Sequence, residues 1–358
     1  MRSPCPAPRA PRAPLASLLL TLLLLLTLLS ASLVAPRVAR ARGKFPRFIR
    51  GMALGHHTAP RASDVDRALR ELKALGVGFV SIVTSWSSAD VRSTTIQRRA
   101  GHTPSDATLS RMIRQARGHG IKVMLFPIID VRRRRPLEWR GTIKPTSWTA
   151  WWKSYQRFIL HHARLAQRAR AEILCIGSEL VTTEKMRGRW AKLIKQIRRV
   201  YRGKLLYSAN WDHYDPVSFW DLIDLVGLTA YYSLAQRRDA KVPEMVQAWG
   251  RAKKKLVSWA RRKKRRLVFT EVGYPSLDGG AVSPWDYTQG TSVDLDEQRR
   301  AFQAFVKAWD KVPELQGVFF WDWYGGGGPK DKSYTPRGKP AAKVIEAWYK
   351  RLAAAEKR

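Results

Sequence analysis

The chain has 358 residues, of which 45% are hydrophobic and 26% are charged, a composition typical of a folded globular protein. It carries 66 Lys and Arg against 28 Asp and Glu, which gives a formal net charge of +38. These values exclude disordered, collagen-like and low-complexity proteins, and two cysteines are too few for a disulfide-stapled scaffold.

The N-terminus has the pattern of an export segment. Residues 1–14 contain three Arg and no acidic residue, and a Leu-rich run from Leu15 to about Ala35 follows. Ala39 and Ala41 then provide the small residues of a cleavage site. Because the run is close to the ~20 residues that cross a bilayer, residues 1–42 are expected to be a signal peptide or an uncleaved anchor. The protein is therefore predicted to be exported, whether secreted, periplasmic or membrane-anchored, with a single domain over residues 43–358.

The basic excess belongs to that domain, since removing the six Arg of residues 1–42 still leaves a formal charge of +32. Two clusters, at 132–135 and 251–266, account for much of it. A solvated helix face explains either cluster alone, whereas attraction to a polyanion would explain the excess. No nucleic-acid-binding motif is present. We therefore expect an anionic envelope polymer or membrane surface, and not nucleic acid, as the partner of a monomer.

Eight short runs, apolar on both faces, follow one another along this domain, as in parallel strands covered on each side. They lie at 49–55, 77–86, 121–130, 171–180, 204–212, 222–233, 266–276 and 315–324. Seven segments with helical periodicity lie between or after them, at 63–76, 105–120, 148–170, 184–202, 243–263, 294–311 and 338–356. The alternation predicts an α/β fold of the (β/α)8 TIM-barrel type. An open doubly wound sheet is the main competitor, but its GxGxxG turn is absent.

Two acidic residues follow apolar strands at the end where barrel active sites lie. Glu179 ends the fourth predicted strand and Glu271 lies in the seventh. For one such residue, a buried ion pair with Arg is an equal alternative, but two at matching ends favour function. Facing carboxyl groups suit the cleavage of a glycosidic bond, in which one protonates the leaving oxygen and the other attacks or activates water. A separation of ~5–5.5 Å would predict retention of configuration.

Aromatic residues cluster at the same strand ends, where flat rings could stack on the apolar faces of sugars. They are Trp86, Trp211, Tyr231, Tyr232, Trp321 and Trp323. For any single residue, packing within the barrel layers is an equal alternative.

Four motifs lie at or beside these strand ends. They are GSEL at 177–180, TEVGYPS at 270–276 followed by DGGAVSPWDY, FFWDWY at 319–324, and WRGTIKPTSWTAWWKSYQRFILHHARLA at 139–166. Together they resemble glycoside hydrolase family 113. The resemblance covers about residues 47–350. It implies a retaining (β/α)8 enzyme of the endo-β-1,4-mannanase type, with an oligosaccharide or polysaccharide substrate and neither metal nor organic cofactor.

The resemblance assigns roles to individual residues. Glu179 matches the acid/base and Glu271 the nucleophile, while Trp321 matches the aromatic floor of the subsite beside them. Tyr231 is chosen as the tyrosine that orients the nucleophile, with Tyr232 as the alternative.

Other substrate contacts are predicted from the same resemblance and from position. Ser178 stands where related enzymes have an Asn that holds a sugar hydroxyl, so Asn210 is expected to share that role. Arg140 and Trp285 are expected to line outer subsites, and Trp86 and Trp323 to contact sugar. The pair His56-His57 is a poor metal site because adjacent strand residues diverge, although one of the two could reach the sugar.

Two alternatives to an enzyme remain. One is a non-catalytic carbohydrate-binding barrel, which would keep the aromatic residues and tolerate loss of either Glu. The other is a surface protein that uses its positive charge to hold an acidic envelope polymer, with binding that weakens in salt.

Overall fold

A computed structural model of the chain describes residues 45–55 and 60–356. The predicted export segment at 1–42 and the pair His56-His57 lie outside the described residues. Among the described helices, none combines the length and the apolar character that crossing a bilayer requires.

Eight parallel strands form one closed barrel in chain order, which confirms the predicted fold class. The strands are β1 Ile49–Gly55, β2 Phe79–Ser88, β3 Lys122–Val131, β4 Ile173–Ser178, β5 Lys204–Ala209, β6 Leu225–Thr229, β7 Leu267–Val272 and β8 Leu315–Phe320. Every residue of β4, β6 and β7 is buried, because one face of each strand fills the barrel and the other meets the helices. Alternation of apolar runs was therefore sufficient to predict the architecture.

In the described part of the chain, seven helices surround the barrel. They are α1 Ala62–Ala74, α2 Asp106–Gly118, α3 Trp148–Ala169, α4 Arg187–Val200, α5 Val242–Lys263, α6 Leu295–Trp309 and α7 Pro340–Glu356. The connection from β5 to β6 contains only the short 3₁₀ turn Trp220–Leu222, at the place where the sequence shows no helical periodicity. Side chains start three of the helices: Ser105, Ser147 and Asp294 accept hydrogen bonds from backbone N–H groups of the first turns of α2, α3 and α6.

Aromatic packing fixes two helices, α5 and α6, on β7, the strand that carries Glu271. Phe269 of β7 lies with its ring centroid 4.8 Å from that of Trp309 on α6, and Trp249 of α5 lies 5.5 Å from Phe305. Each such side chain contributes roughly 1.5–3 kcal/mol by its burial. This layer holds β7 in place between α5 and α6.

Candidate active site

A pocket of about 540 Å³ opens at the carboxyl ends of the strands. Its wall includes Glu271, Arg140 and Trp321, all three of which the sequence predicted to belong to the site. Its other charged or aromatic lining residues were not singled out: His102, Asp130, Tyr287, Asp322, Tyr324 and Tyr334. The pocket therefore lies where (β/α)8 barrels place their active sites.

A bulge in β7 turns Glu271 into the pocket. Phe269 packs outward against the helices, so strict alternation would also turn Glu271 outward. However, Leu228 of β6 pairs with Phe269 while the next residue, Thr229, pairs with Glu271. The register shift leaves one extra residue, Thr270, and restores Glu271 to the inner face. Bulges commonly re-aim a side chain in this way beside active sites.

The backbone turns sharply at Glu179, directly after β4. Its φ of +54° lies in the left-handed region, which costs a non-glycine residue on the order of 1 kcal/mol or more. The Glu179 N–H donates to the carbonyl of Ser208 at 2.7 Å. Its carboxylate is almost fully buried, and Oε1 accepts a hydrogen bond from the Thr229 hydroxyl at 3.0 Å. The strain is thus held at the residue whose carboxylate contacts Arg140 in the pocket wall.

A buried network supports this turn from behind. The Tyr207 hydroxyl accepts from the N–H of Leu180 at 3.0 Å and donates to Oε1 of Glu184 at 2.7 Å. His213 Nδ1 lies 2.6 Å from the other oxygen of Glu184. Burial raises the pKa of Glu184. The network holds Leu180, the residue that follows Glu179. The sequence did not predict this network, because Tyr207 and Glu184 lie on different elements.

Arg140 contacts Glu179 and interacts electrostatically with Glu271. Its Nε and Nη2 both lie 3.2 Å from Oε2 of Glu179, and a quarter of its side chain is exposed. Burial alone would lower the pKa of Arg140, but the charges of Glu179 and Glu271 outweigh it and raise the pKa. The loop after β3 brings Arg140 into the pocket wall and directly onto Glu179, and its predicted contact with substrate stays a prediction.

An ion pair with Arg was the structural alternative for a buried Glu, and Glu179 does form one. Two features distinguish it from a pair that only supports the fold. Arg140 lines an open pocket, and its guanidinium also acts on Glu271, which lines the same pocket.

Glu271 binds its proton more tightly than an ordinary carboxyl group does. Burial first, and then the charge of Glu179, raise the pKa of Glu271 to about 7, against the opposing effects of Arg140 and Tyr231. The Tyr231 hydroxyl donates to Oε2 of Glu271 at 2.9 Å. Burial and the charge of Glu271 raise the pKa of Tyr231, so this hydroxyl stays a donor. The alternative residue, Tyr232, instead donates to the carbonyl of Trp211 at 2.7 Å.

A third carboxyl group, that of Asp322, lines the same pocket as Glu271. Burial, and then the charge of Asp331, raise the pKa of Asp322 to about 7. Asp322 also contributes to the raised pKa of Glu271. Its position directly after Trp321 was the only sequence signal that could have identified it.

The two residues predicted to bind a sugar hydroxyl differ in position. The Ser178 hydroxyl is fully buried and finds no hydrogen-bond partner among residues 45–55 and 60–356, so it is not part of the pocket surface. Asn210 is half-buried, and its side-chain N–H donates to Asp212 at 2.5 Å. Its Oδ1 lies 3.5 Å from the Thr229 hydroxyl, which also donates to Glu179. Asn210 is therefore linked to Glu179 through the Thr229 hydroxyl.

Trp86 does not lie in the pocket, and its predicted contact with sugar is corrected. Val83 and Ser85 of β2 line the pocket, so alternation turns Trp86 to the opposite face. Its ring lies 5.4 Å from that of Phe158 and 5.7 Å from that of His162, both on α3.

Trp323 is likewise directed away from the pocket, which corrects its predicted contact with sugar. Its indole N–H donates to Oε2 of Glu71 on α1 at 3.0 Å, and the guanidinium of Arg337 lies 5.9 Å from the ring. Trp285 is 52% exposed and stacks on Trp211 with centroids 6.4 Å apart. Trp285 is therefore a surface residue two positions before Tyr287, which does line the pocket.

Among residues 45–55 and 60–356, one group of carboxylates has the spacing of a metal site. Oxygens of Asp278, Asp294 and Glu297 lie within 4.8 Å of one another. Asp294 starts α6 by accepting from the Glu297 N–H, and Glu297 accepts from two loop N–H groups. These bonds explain the cluster as a loop-to-helix junction.

In this (β/α)8 barrel, the buried Glu271 lines an open pocket and the buried Glu179 lies against Arg140 in its wall, close enough to act on Glu271. Two interacting carboxyl groups at this end of a barrel are the arrangement of a barrel glycosidase. The sequence matches Glycoside Hydrolase Family 113 over residues 52–339. A GH113 β-1,4-mannanase solved as a complex is 25% identical with a TM-score of 0.76, over 85% of this chain and 99% of that chain. The GH113 β-mannanase AaManA from Alicyclobacillus acidocaldarius, in complex with ManMIm, is 30% identical with a TM-score of 0.74, over 85% and 98%.

More distant structures share the fold alone. A β-glucuronidase from Ruminococcus gnavus in complex with D-glucuronic acid is 13% identical with a TM-score of 0.60, over 85% of this chain and 50% of that chain. No curated protein matches the chain in sequence. The family match nevertheless spans most of the chain, so the chain belongs to glycoside hydrolase family 113 and is a glycoside hydrolase.

Proposed function

We propose that the protein is a retaining glycoside hydrolase that cleaves a β-linked, mannan-type polysaccharide. The observation that carries the proposal is the electrostatic coupling of three largely buried groups: Arg140 contacts Glu179, and the charge of each of these two residues acts on Glu271, which lines the pocket. Glu179 is the acid/base and Glu271 the nucleophile. The mannan-type substrate is supported by the two family 113 structures, both described as mannanases.

In the first step, an oxygen of Glu271 attacks the anomeric carbon while Glu179 gives its proton to the departing glycosidic oxygen. In the second step, Glu179 takes a proton from water, and that water displaces Glu271 from the sugar. Two inversions at the same carbon give net retention.

The electrostatics support one shared proton. Two interacting carboxyl groups in a buried site lose their protons in two steps that belong to the pair. With the pKa of Glu271 at about 7, the pair keeps one proton near neutral pH. One group can then act as an acid while the other is ionised. The Tyr231 hydroxyl favours the ionised form of Glu271, as a nucleophile requires.

The assignment of the two roles rests on strand position, with the acid/base after β4 and the nucleophile on β7. The pairing of Arg140 with Glu179 would favour the opposite assignment, since a guanidinium favours an ionised carboxylate. The experiment must therefore identify each carboxyl group separately.

Azide rescue of alanine variants makes that distinction. With an aryl β-mannobioside whose leaving group needs no acid, Glu179→Ala should keep the first step and form a β-glycosyl azide. Glu271→Ala should instead form an α-glycosyl azide, because azide enters the space that the missing carboxylate leaves. Glu346→Ala, which changes a partly exposed residue of α7 that pairs with Lys350, is the control and should keep full activity.

Three results would count against the proposal. The opposite azide products would exchange the two roles. Full activity in either variant would remove that residue from the mechanism. Binding of mannooligosaccharide by the wild-type protein without hydrolysis would favour the non-catalytic alternative.

We also propose that the protein is exported, on the basis of the basic start, the Leu-rich run and the small residues before position 43. Expression of the full chain in a bacterial host, followed by fractionation and intact mass, tests this. Retention of the whole chain in the cytoplasm would contradict it.

A further inference from the structure

A second groove lies at the opposite end of the barrel from the pocket. It has a volume of about 590 Å³ and lies between the second half of α5 and the loop that precedes β8. Its basic lining residues are Lys253, Lys254, Arg261, Arg262 and Lys311, and its one acidic residue is Glu314. We call it the basic groove. Because α5 ends where β7 begins and the loop ends where β8 begins, it faces the amino ends of the strands.

Most of the positive charge in the basic groove is not neutralised by the protein. Arg261 pairs with Glu314 at 2.6 Å, and Lys253 donates to the carbonyl of Ala308. Lys254, Arg262 and Lys311 are exposed, and none of them reaches a carboxylate within the described part of the chain.

Helix stabilisation accounts for only part of this charge. Basic residues in the last turn of a helix interact favourably with its carbonyl end, and Arg262 lies in the last turn of α5. Lys254, however, lies nine residues before the helix end, more than two turns away, and Lys311 is in a separate loop. Like charges gathered on one surface repel one another unless an anion approaches.

The spacing favours an extended ligand. Arg262 lies eight positions after Lys254, which places their attachment points ~12 Å apart along the helix. Lys311 provides charge from the other wall of the groove. A linear chain with repeated negative charges can meet all three side chains, whereas a single small anion cannot.

The same face is poorly suited to a bilayer. Membrane-surface binding normally inserts large apolar side chains beside the basic ones. The large apolar side chains exposed in the described residues are Leu137, Trp285, Tyr287 and Tyr324. They lie in the loops that follow β3, β7 and β8, at the pocket end of the barrel. The basic groove is also lined by Val257, Val312 and Pro313, but it presents none of the large exposed apolar side chains that insert into a bilayer.

We propose that the basic groove binds a linear anionic polysaccharide. This binding is separate from the proposed hydrolysis and lies at the other end of the barrel. It would hold the enzyme on an acidic matrix with the pocket facing away from the contact and open to substrate.

Binding to immobilised polygalacturonate tests the proposal, with neutral dextran as the uncharged reference and dextran sulfate as a sulfated one. We expect the full chain to bind both anionic polymers, to dissociate from them as the salt concentration rises, and not to bind dextran. The variant Lys254→Gln/Arg262→Gln/Lys311→Gln should bind at least ~10-fold more weakly at low ionic strength. Its hydrolytic activity on mannooligosaccharide should not change, which separates this test from that of the proposed function.

A matched control removes the same charge elsewhere. Arg114, Lys153 and Lys192 are exposed residues of α2, α3 and α4, and their triple replacement by Gln should leave affinity within about twofold. Three outcomes would overturn the proposal: equal weakening in both triple variants, no binding to either anionic polymer, or equally strong binding to vesicles containing anionic phospholipid that the groove variant also loses.

Discussion

The buried charge of Glu271 should cost the protein stability, so replacing Glu271 with Gln is predicted to stabilise it at alkaline pH. The pKa of this carboxyl group rises from 4.5 to about 7 on folding. Such a difference corresponds to about 3 kcal/mol of unfolding free energy. Because Glu271 is buried and 5% exposed, little of this value is lost to screening by solvent.

The sign of the pH dependence follows from the raised pKa. Below about pH 4.5 both folded and unfolded chains carry the proton, and the residue costs nothing. Between about pH 4.5 and 7 the unfolded chain loses its proton first, so wild-type stability falls as pH rises. Above about pH 7 the full cost is present. Gln imitates the protonated form and avoids it at every pH.

Urea unfolding at about pH 4, 6 and 8 measures the effect. Glu271→Gln should match the wild type at about pH 4 and exceed it by up to about 3 kcal/mol at about pH 8. Glu346→Gln on the surface is the control and should show no such trend. The reasoning would be refuted if the Glu271 variant were no more stable than wild type at about pH 8, or if its gain were the same at all three pH values.

Three further predictions concern activity. Tyr231→Phe removes the hydroxyl donor to Glu271 and should lower kcat by roughly 10- to 100-fold with little change in KM; unchanged kcat would contradict its orienting role. Arg140→Gln removes the cation that lowers the pKa of Glu271, so the pH–rate limb that reports this group should move to higher pH; a shift to lower pH would contradict the electrostatics. Trp86→Leu should lower the free energy of unfolding by about 2–4 kcal/mol without changing KM. Trp321→Ala, in the pocket, should instead raise KM. A raised KM for Trp86→Leu and an unchanged KM for Trp321→Ala would contradict the positions of the two residues.

The barrel could be predicted from sequence because each strand is buried on both faces, which leaves a run of apolar residues, and because helical periodicity separates the runs. The positions of Glu179 and Glu271 at strand ends followed from the same pattern. The bulge in β7 could not be predicted, since it depends on a register shift against β6. Without that shift, the alternation set by Phe269 would turn Glu271 toward the helices.

The errors in the site have equally specific causes. Trp86 was placed by its nearness to a strand end, although it is one residue out of phase with Ser85, which faces the pocket. Trp323 pairs with Glu71, which lies 252 positions away in the sequence. The contact of Arg140 with Glu179, made from the loop after β3, was not an error but was not predicted either. Contacts of this kind depend on loop paths, which short-range periodicity does not encode.

The most direct test of the central claim is to trap the covalent intermediate. A mannobioside fluorinated at C2 and activated with a good leaving group should form the glycosyl-enzyme quickly and release it slowly, because the fluorine withdraws electron density from the oxocarbenium-like transition states. Peptide mass spectrometry is expected to find the added sugar on Glu271. A label on Glu179, or no label while the natural substrate is hydrolysed, would contradict the account.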